Sequence, residues 1–235
     1  MIPANMAVLD TETTGIDTKT CKVVEIALYN PTIDMNFCEL VDPEVAIPPE
    51  VSAIHHICDH DVAGKLNWEE VKDVVLTMLQ VENITILAAH NADYDKAVVM
   101  IPDIVWIDTY KCALRQWPDA PSHKNEVLKY WLRLGDRGRA FMHGAHSALH
   151  DCKTTALILE ELLKHNSLET LIEWSNGPKM FAKISFGKHA GKKWEEIDTG
   201  YLQWMCKQGD MDKDIVACAA REIQRRKDNA ASKPL

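Results

Sequence analysis

Apolar residues at the start of the chain fall in short runs broken by turn-forming residues. Met6 to Leu9 is a compact apolar run closed by Asp10. Val23 to Tyr29 is β-branched and alternating, and Asn36 to Val41 repeats the pattern. Thr14-Gly15 and Asn30-Pro31 separate them, so the chain is predicted to open as a β-meander. Pro48-Pro49 precedes a short helix through Val51 to Ile54. Asn67, with Glu70 three residues on, reads as a capping box. It starts a helix from Trp68 to about Gln80 with Val71, Val74, Val75, Met78 and Leu79 on one face.

Strands and helices then alternate. Ile84 to Ala89 reads as a buried strand, about Asp93 to Met100 as a helix, and Ile104 to Ile107 as a strand. Asp108 is placed to cap the following helix, and Asn125 to cap one reaching Leu134. Gln116 to Lys124 reads as loop. Gly135 to Gly144 holds three glycines and reads as a flexible loop. A long amphipathic helix is expected from about Ser147 to Lys164, and another capped by Ser167. This order implies a mixed β-sheet flanked by helices, an α/β fold.

Asn176-Gly177-Pro178 is the best boundary in the sequence. Residues 1–176 are expected to form one domain and 177–228 a small C-terminal α+β module. In the module, Phe181 to Phe186 is predicted to return as a hairpin through the Gly187 to Gly191 turn. Two helices follow, near Tyr201 to Lys207 and Met211 to Lys227. Residues 229–235 read as a frayed tail.

Charge sharpens this division. The 235 residues carry a net charge of −9. Residues 1–176 hold 14 Lys+Arg against 27 Asp+Glu, and residues 177–235 hold 12 against 8. An acidic front suits cations and a basic rear suits phosphates. Composition is ordinary for a globular chain, with 46% hydrophobic and 26% charged residues, which excludes disorder as the main state. The seven cysteines are scattered without a CxxC pair, against a disulfide framework or a cysteine zinc site. No leader or membrane span is expected, and the reading is a cytoplasmic protein.

Three acidic clusters carry candidate chemistry. In extended chain, Asp10 and Glu12 face one side and Thr11 the other. Two carboxylates held together repel unless a cation lies between them, and a divalent ion with oxygen ligands answers that need. A turn-capping role for Asp10 is the alternative. His90-Asn91-Ala92-Asp93-Tyr94-Asp95 lies where a buried strand becomes a helix, a place where sheets expose functional groups. The helix dipole alone would also favour Asp93 or Asp95 there. Asp151 starts an apolar-striped helix, and His143, His146 and His150 lie close by as candidate general bases.

Together these clusters resemble the three motifs of the DEDD exonuclease superfamily, in its DEDDh (DnaQ-like) branch. Asp10 to Gly15 matches Asp-x-Glu-Thr-x-Gly. His90 to Asp95 matches His-Asn-Ala-x-aromatic-Asp. His146 to Asp151 matches a histidine, four residues and an aspartate. By this resemblance Asp95, rather than Asp93, takes the catalytic place, and His146 is the histidine at the right distance. Ala53 to Ile57 resembles the helix-and-loop element preceding the family's metal site. Phe186-Gly187-Lys188, Gly191-Lys192 and Gly200 to Trp204 resemble the C-terminal extension of its exonuclease X branch.

The resemblance implies an RNase H-like fold and two Mg²⁺ or Mn²⁺ ions held by Asp10, Glu12, Asp95 and Asp151. Two such ions stabilise the attacking and leaving oxygens of a phosphodiester. It implies His146 as the base that deprotonates water, with release of nucleoside 5′-monophosphates from DNA 3′ ends. Thr13, Gly15, Ile16, His55, His90 and Asn91 are the implied substrate contacts. Ile16 is a wedge against terminal bases or a core isoleucine, His55 a nucleotide contact or a packed histidine, and Asn91 a contact or a helix cap. Lys183, Lys188, Lys192 and Lys193 are expected to contact the nucleic-acid backbone, with Trp194 and Trp204 as neighbours. Arg221, Arg225, Arg226 and Lys227 form a second basic cluster. An exoribonuclease of the same family, or a non-catalytic module bound to nucleic acid or a polymerase, are the competing readings.

Overall fold

A computed structural model describes residues 1–134 and 147–232. Five strands form one sheet in the order β3-β2-β1-β4-β5. They are β1 Met6–Thr13, β2 Val23–Asn30, β3 Met35–Leu40, β4 Ile86–Ala89 and β5 Val105–Asp108. β1, β2 and β3 pair antiparallel as a meander, while β4 and β5 run parallel to β1. β1 is central, and Met6 to Leu9 are fully buried, as a strand covered on both faces requires.

The period of two divides this strand between two cores. Met6 and Val8 face one layer, built on α5 (Thr109–Gln116), α6 (Asn125–Trp131), α7 (Ala148–His165) and α8 (Leu168–Asn176). Ala7 and Leu9 face the other, built on α3 (Trp68–Val81) and α4 (Asp93–Val99). α1 (Pro49–His55) and α2 (Asp59–Val62) lie between β3 and α3 in the chain. Asn67 caps α3 with the expected reciprocal bonds to Glu70, and Asp108 caps α5 by accepting from the Tyr110 and Lys111 amides. Each cap satisfies amides left without partners in the first turn.

The C-terminal residues build a separate apolar cluster around Ile184, Trp194, Ile197, Leu202, Met205, Ile215 and Ala219. Its helices are α9 (Thr199–Met205) and α10 (Lys213–Ala231).

Several expectations need correction. β1 continues through Thr13, so Asp10 lies inside the strand. The short helix α2 has no counterpart in the sequence reading; Asp61 closes it by accepting from the Cys58 amide. Asn125 is the first residue of α6, not its cap; its side chain donates to Thr155 Oγ1 at 2.9 Å instead, and the helix ends at Trp131. The predicted hairpin after Phe181 reduces to a single bridge, Lys183 with Lys193. The turn itself forms, with Gly187 and Gly191 at positive φ and one 3₁₀ turn at Gly187–His189, and the Ile184 amide donates to the Lys192 carbonyl across it. The C-terminal helix continues past 229 to Ala231, with Gln224 bonded to Asp228 one turn on, and residues 233–235 of the expected tail lie outside the described residues. All seven cysteines are free thiols. No described helix is long and apolar enough to cross a membrane.

Candidate active site

Asp10 and Glu12 continue the face of β1 that meets α7. Asp151, in the first turn of α7, meets them there. Carboxylate oxygens of the three lie within 4.8 Å of one another. Ser147 starts this helix, its hydroxyl accepting from the His150 amide. The helix N-terminus favours the negative charge of Asp151.

Thr11 points the other way, as its parity demands, and so meets α4. Its hydroxyl donates to Asp95 Oδ1 at 2.8 Å. Asp95 is 4% exposed, whereas Asp93 turns outward and pairs with Lys111 Nζ at 2.9 Å. The two candidates of the second cluster thus separate: Asp95 is buried on Thr11 with its charge felt by Asp10, while Asp93 faces Lys111.

The electrostatics are those of crowded acids. Burial, then the charges of Asp95, Asp151, Glu12 and Glu25, push Asp10 well above the usual carboxylate range. Burial, then Asp151, Glu25 and Asp95, push Glu12 up to about 8. Burial raises Asp95 to about 7, against the Thr11 hydroxyl that holds it down. Neither Asp10 nor Glu12 has a Lys or Arg ion-pair partner among the described residues. Hard oxygen donors gathered against their mutual repulsion are what a divalent metal site presents.

Two residues that hold this group had no role in the sequence reading. Glu25 on β2 stands directly opposite Glu12 on β1. Like charges facing across strands repel, and Glu25 resolves this by accepting from the Ala148 amide at 2.7 Å. A lone acid in the apolar run Val-Val-Glu-Ile-Ala was its signal. Tyr94, noted as an aromatic spacer, is the second. Its hydroxyl lies 2.6 Å from the Gly15 carbonyl and 2.5 Å from Thr13 Oγ1. The aromatic of one cluster therefore pins the turn that ends another.

The remaining predicted residues divide. Gly15 has open space where a side chain would stand, and Ile16 is 93% exposed, so it is not a core isoleucine. His55 is buried; its Nδ1 accepts from the Ile57 amide, which leaves the proton on Nε2. That Nε2 has no hydrogen-bond partner of good geometry among the described residues. His90 uses both ring nitrogens inside the protein, Nε2 donating to the His123 carbonyl at 2.7 Å and Nδ1 2.9 Å from Thr109 Oγ1. Asn91 does not cap α4; it sits at φ 72° and its Oδ1 accepts from Lys179 Nζ at 2.9 Å. His143 and His146 lie outside the described residues. His150 is buried and engaged with Glu126 Oε1 at 3.1 Å, in contact with α6.

The C-terminal basic residues also divide. Arg225 and Arg226 both pair with Glu222, and Arg226 Nη2 donates to the carbonyls of Trp194, Glu195 and Ile197. Within the second basic cluster, Arg225 and Arg226 thus share Glu222, while Arg221 and Lys227 are exposed. Lys193 lies 3.7 Å from Asp119, and Lys183, Lys188 and Lys192 are exposed. Trp194 is buried, its Nε1 donating to the Phe181 carbonyl, while Trp204 is exposed.

The exonuclease family model RNase_T matches residues 7–159, the span that holds every described carboxylate of the site. The chain belongs to this exonuclease family. Exodeoxyribonuclease 10 of Escherichia coli K12 is 29% identical over 205 residues, covering 85% of this chain and 90% of that protein. DNA polymerase III subunit epsilon of Treponema pallidum is 28% identical over 172 residues, covering 67% and 76%. Among solved structures, exonuclease X in complex with 5′-overhanging duplex DNA superposes with a TM-score of 0.60 at 29% identity, over 73% of this chain and 99% of that one. The nuclease domain of a DEDDh family member bound to rAMP superposes at 0.55 and 16% identity, over 68% and 91%, and so shares the fold. The chain is a hydrolase of the DEDDh 3′→5′ exonuclease type, on an RNase H-like sheet.

Proposed function

We propose that this exonuclease is a metal-dependent exodeoxyribonuclease that removes nucleoside 5′-monophosphates from DNA 3′ ends. The observation that carries the reading is the convergence of Asp10, Glu12 and Asp151, whose carboxylate oxygens lie within 4.8 Å of one another. These three would hold one Mg²⁺ or Mn²⁺, and Asp10 with Asp95 a second. When bound, such ions supply charge stabilisation to the attacking and leaving oxygens of the phosphodiester.

The chain's own residues supply the rest. Thr11 fixes the rotamer of Asp95 through its hydroxyl. Glu25 holds the start of α7, and with it Asp151. His146 would take the proton from the attacking water, the role for which a histidine near neutrality is suited. Ile16, on a turn pinned by Tyr94, would stack on the terminal base. His55 offers a buried Nε2–H toward the same region. We treat residues 177–228 as a module whose exposed Lys183, Lys188, Lys192 and Lys193 approach the backbone upstream of the end.

The long correspondence to an exodeoxyribonuclease supports DNA over RNA. The test is paired DNA and RNA oligonucleotides of one sequence, labelled at either end. Immediate mononucleotide from the 3′-labelled DNA, and a ladder from the 5′-labelled one, is expected. Faster decay of the RNA would retain the chemistry and overturn the sugar assignment.

A further inference from the structure

Helix α9 is short and two-sided. Leu202 and Met205 are fully buried in the C-terminal cluster. Tyr201 is half-buried at the edge of that cluster, and Trp204, three residues on, is exposed beside it. Their rings lie 5.2 Å apart between centroids and are tilted by 32°, close to a shared plane of approach. Trp204 is 46% exposed.

The surroundings brace this pair. His189 stands edge-on to Tyr201 at 4.6 Å. Neither nitrogen of His189 has a hydrogen-bond partner among the described residues, and its Nε2 lies 4.0 Å from Asp198 Oδ2. Lys188 Nζ lies 5.2 Å from the centre of the Tyr201 ring. Gly187 passes so close that a Cβ there would come within 3.5 Å of the Tyr201 hydroxyl. Lys188 and Lys207 are both exposed and flank the rings in the chain. Asp198, the nearby acid, is engaged as the cap of α9, accepting from the Tyr201 amide.

Aromatic faces beside lysines in a segment of net positive charge fit a single-stranded polyanion with accessible bases. The C-terminal segment also touches the second cluster. Lys179 bonds Asn91 of the second cluster and lies over Tyr110. A cleft of about 290 Å³ runs between the two parts, lined by Tyr110, Asp119, His123, Phe181 and Lys183.

We propose that Tyr201 and Trp204, with Lys188 and Lys207 beside them, form a stacking platform for unpaired bases of the strand whose 3′ end enters the carboxylate site. This rests on the exonuclease reading above and adds a second, upstream grip. Stacking contributes affinity without releasing counterions, whereas each lysine contact does release them. The two contributions therefore separate by salt dependence.

The test is fluorescence anisotropy of the full chain with labelled dT6, dT20 and a blunt 20-bp duplex, in EDTA with each oligonucleotide verified intact. Trp204→Ala is expected to weaken dT20 binding about tenfold with an unchanged salt slope, and Trp204→Phe to stay near wild type. Lys188→Ala is expected to flatten the salt slope by about 0.7. Binding of dT6 should change little. Trp204→Ala binding dT20 as the wild type does, with an unaltered melting temperature, would overturn the platform. So would an equal loss on the blunt duplex, which would assign the surface to phosphates alone. Mononucleotide release from dT6 by the wild type, measured in Mg²⁺, reports the catalytic reading independently.

Discussion

Glu25 Oε2 accepts from the backbone amide of Ala148 at 2.7 Å, across 123 residues of sequence. One bond thereby ties the third residue of β2 to the first residue of α7. That helix carries Asp151, and β2 faces β1 with its Asp10 and Glu12. A buried acid stands beside three others because it satisfies an amide that the helix itself cannot. Glu25→Ala leaves that amide without its partner, an expected loss of about 1–3 kcal/mol in urea denaturation. It should also lower kcat by roughly tenfold through displacement of Asp151. Glu25→Gln keeps an acceptor oxygen and should retain most of the activity. Equal kcat values for the two variants would remove Glu25 from its positioning role.

Repulsion at the site implies a conflict between stability and function. Asp10→Asn removes one charge from the group. Without metal at pH 8, its melting temperature should rise, by roughly 2–4 °C per kcal/mol of relieved repulsion. Addition of Mg²⁺ should raise the melting temperature of the wild type and leave the variant nearly unmoved. Differential scanning calorimetry with and without Mg²⁺ checks both. A variant less stable than wild type in EDTA would contradict the crowded-acid account.

Thr11 and Tyr94 should separate in their kinetics. Thr11→Val keeps the shape and removes the donor to Asp95, so kcat should fall about tenfold with KM little changed. Tyr94→Phe frees the Gly15 carbonyl and the turn that carries Ile16, so KM for DNA should rise with a smaller effect on kcat. Steady-state kinetics on a 3′-labelled oligonucleotide distinguishes the two patterns.

His90 makes folding stability depend on pH. Burial holds its folded pKa down at about 4, against the hydrogen bond to the His123 carbonyl, which pulls it up. The unfolded chain titrates near 6.5, so below that pH the unfolded state binds the extra proton. Stability is full above pH 6.5 and is lost as pH falls toward 4. Between pH 7 and 5 the expected loss from this residue is about 2 kcal/mol. Urea melts of wild type and His90→Gln at both values measure it; a variant with an equal or steeper loss would contradict the assignment.

Period-two patterning placed β1, β2 and β3 within a few residues, because buried strands write their faces directly into sequence. The carboxylates Asp10, Glu12, Asp95 and Asp151 stand in motifs whose spacing is local. Glu25 shows in sequence as a lone acid in an apolar run, but its role was not legible, since its partner amide lies 123 residues away and only the fold brings them together. The lysines and arginines of the C-terminal segment look alike in sequence. Glu222 and three carbonyls, not local pattern, decide that Arg226 is structural while Lys188 is exposed. The hairpin expected after Phe181 kept its turn at Gly187 and Gly191, but the residues flanking it pair at one bridge, Lys183 with Lys193.

The most direct test of the central claim is release of labelled mononucleotide from a 3′-labelled single-stranded DNA, in Mg²⁺ and in EDTA, by wild type, Asp10→Asn and Asp151→Asn. The wild type should release 5′-monophosphate from the first turnover in Mg²⁺ and none in EDTA, and each variant should fall by several orders of magnitude. Undiminished release in EDTA, or by either variant in Mg²⁺, would contradict the assignment of these carboxylates as the metal-holding catalytic centre.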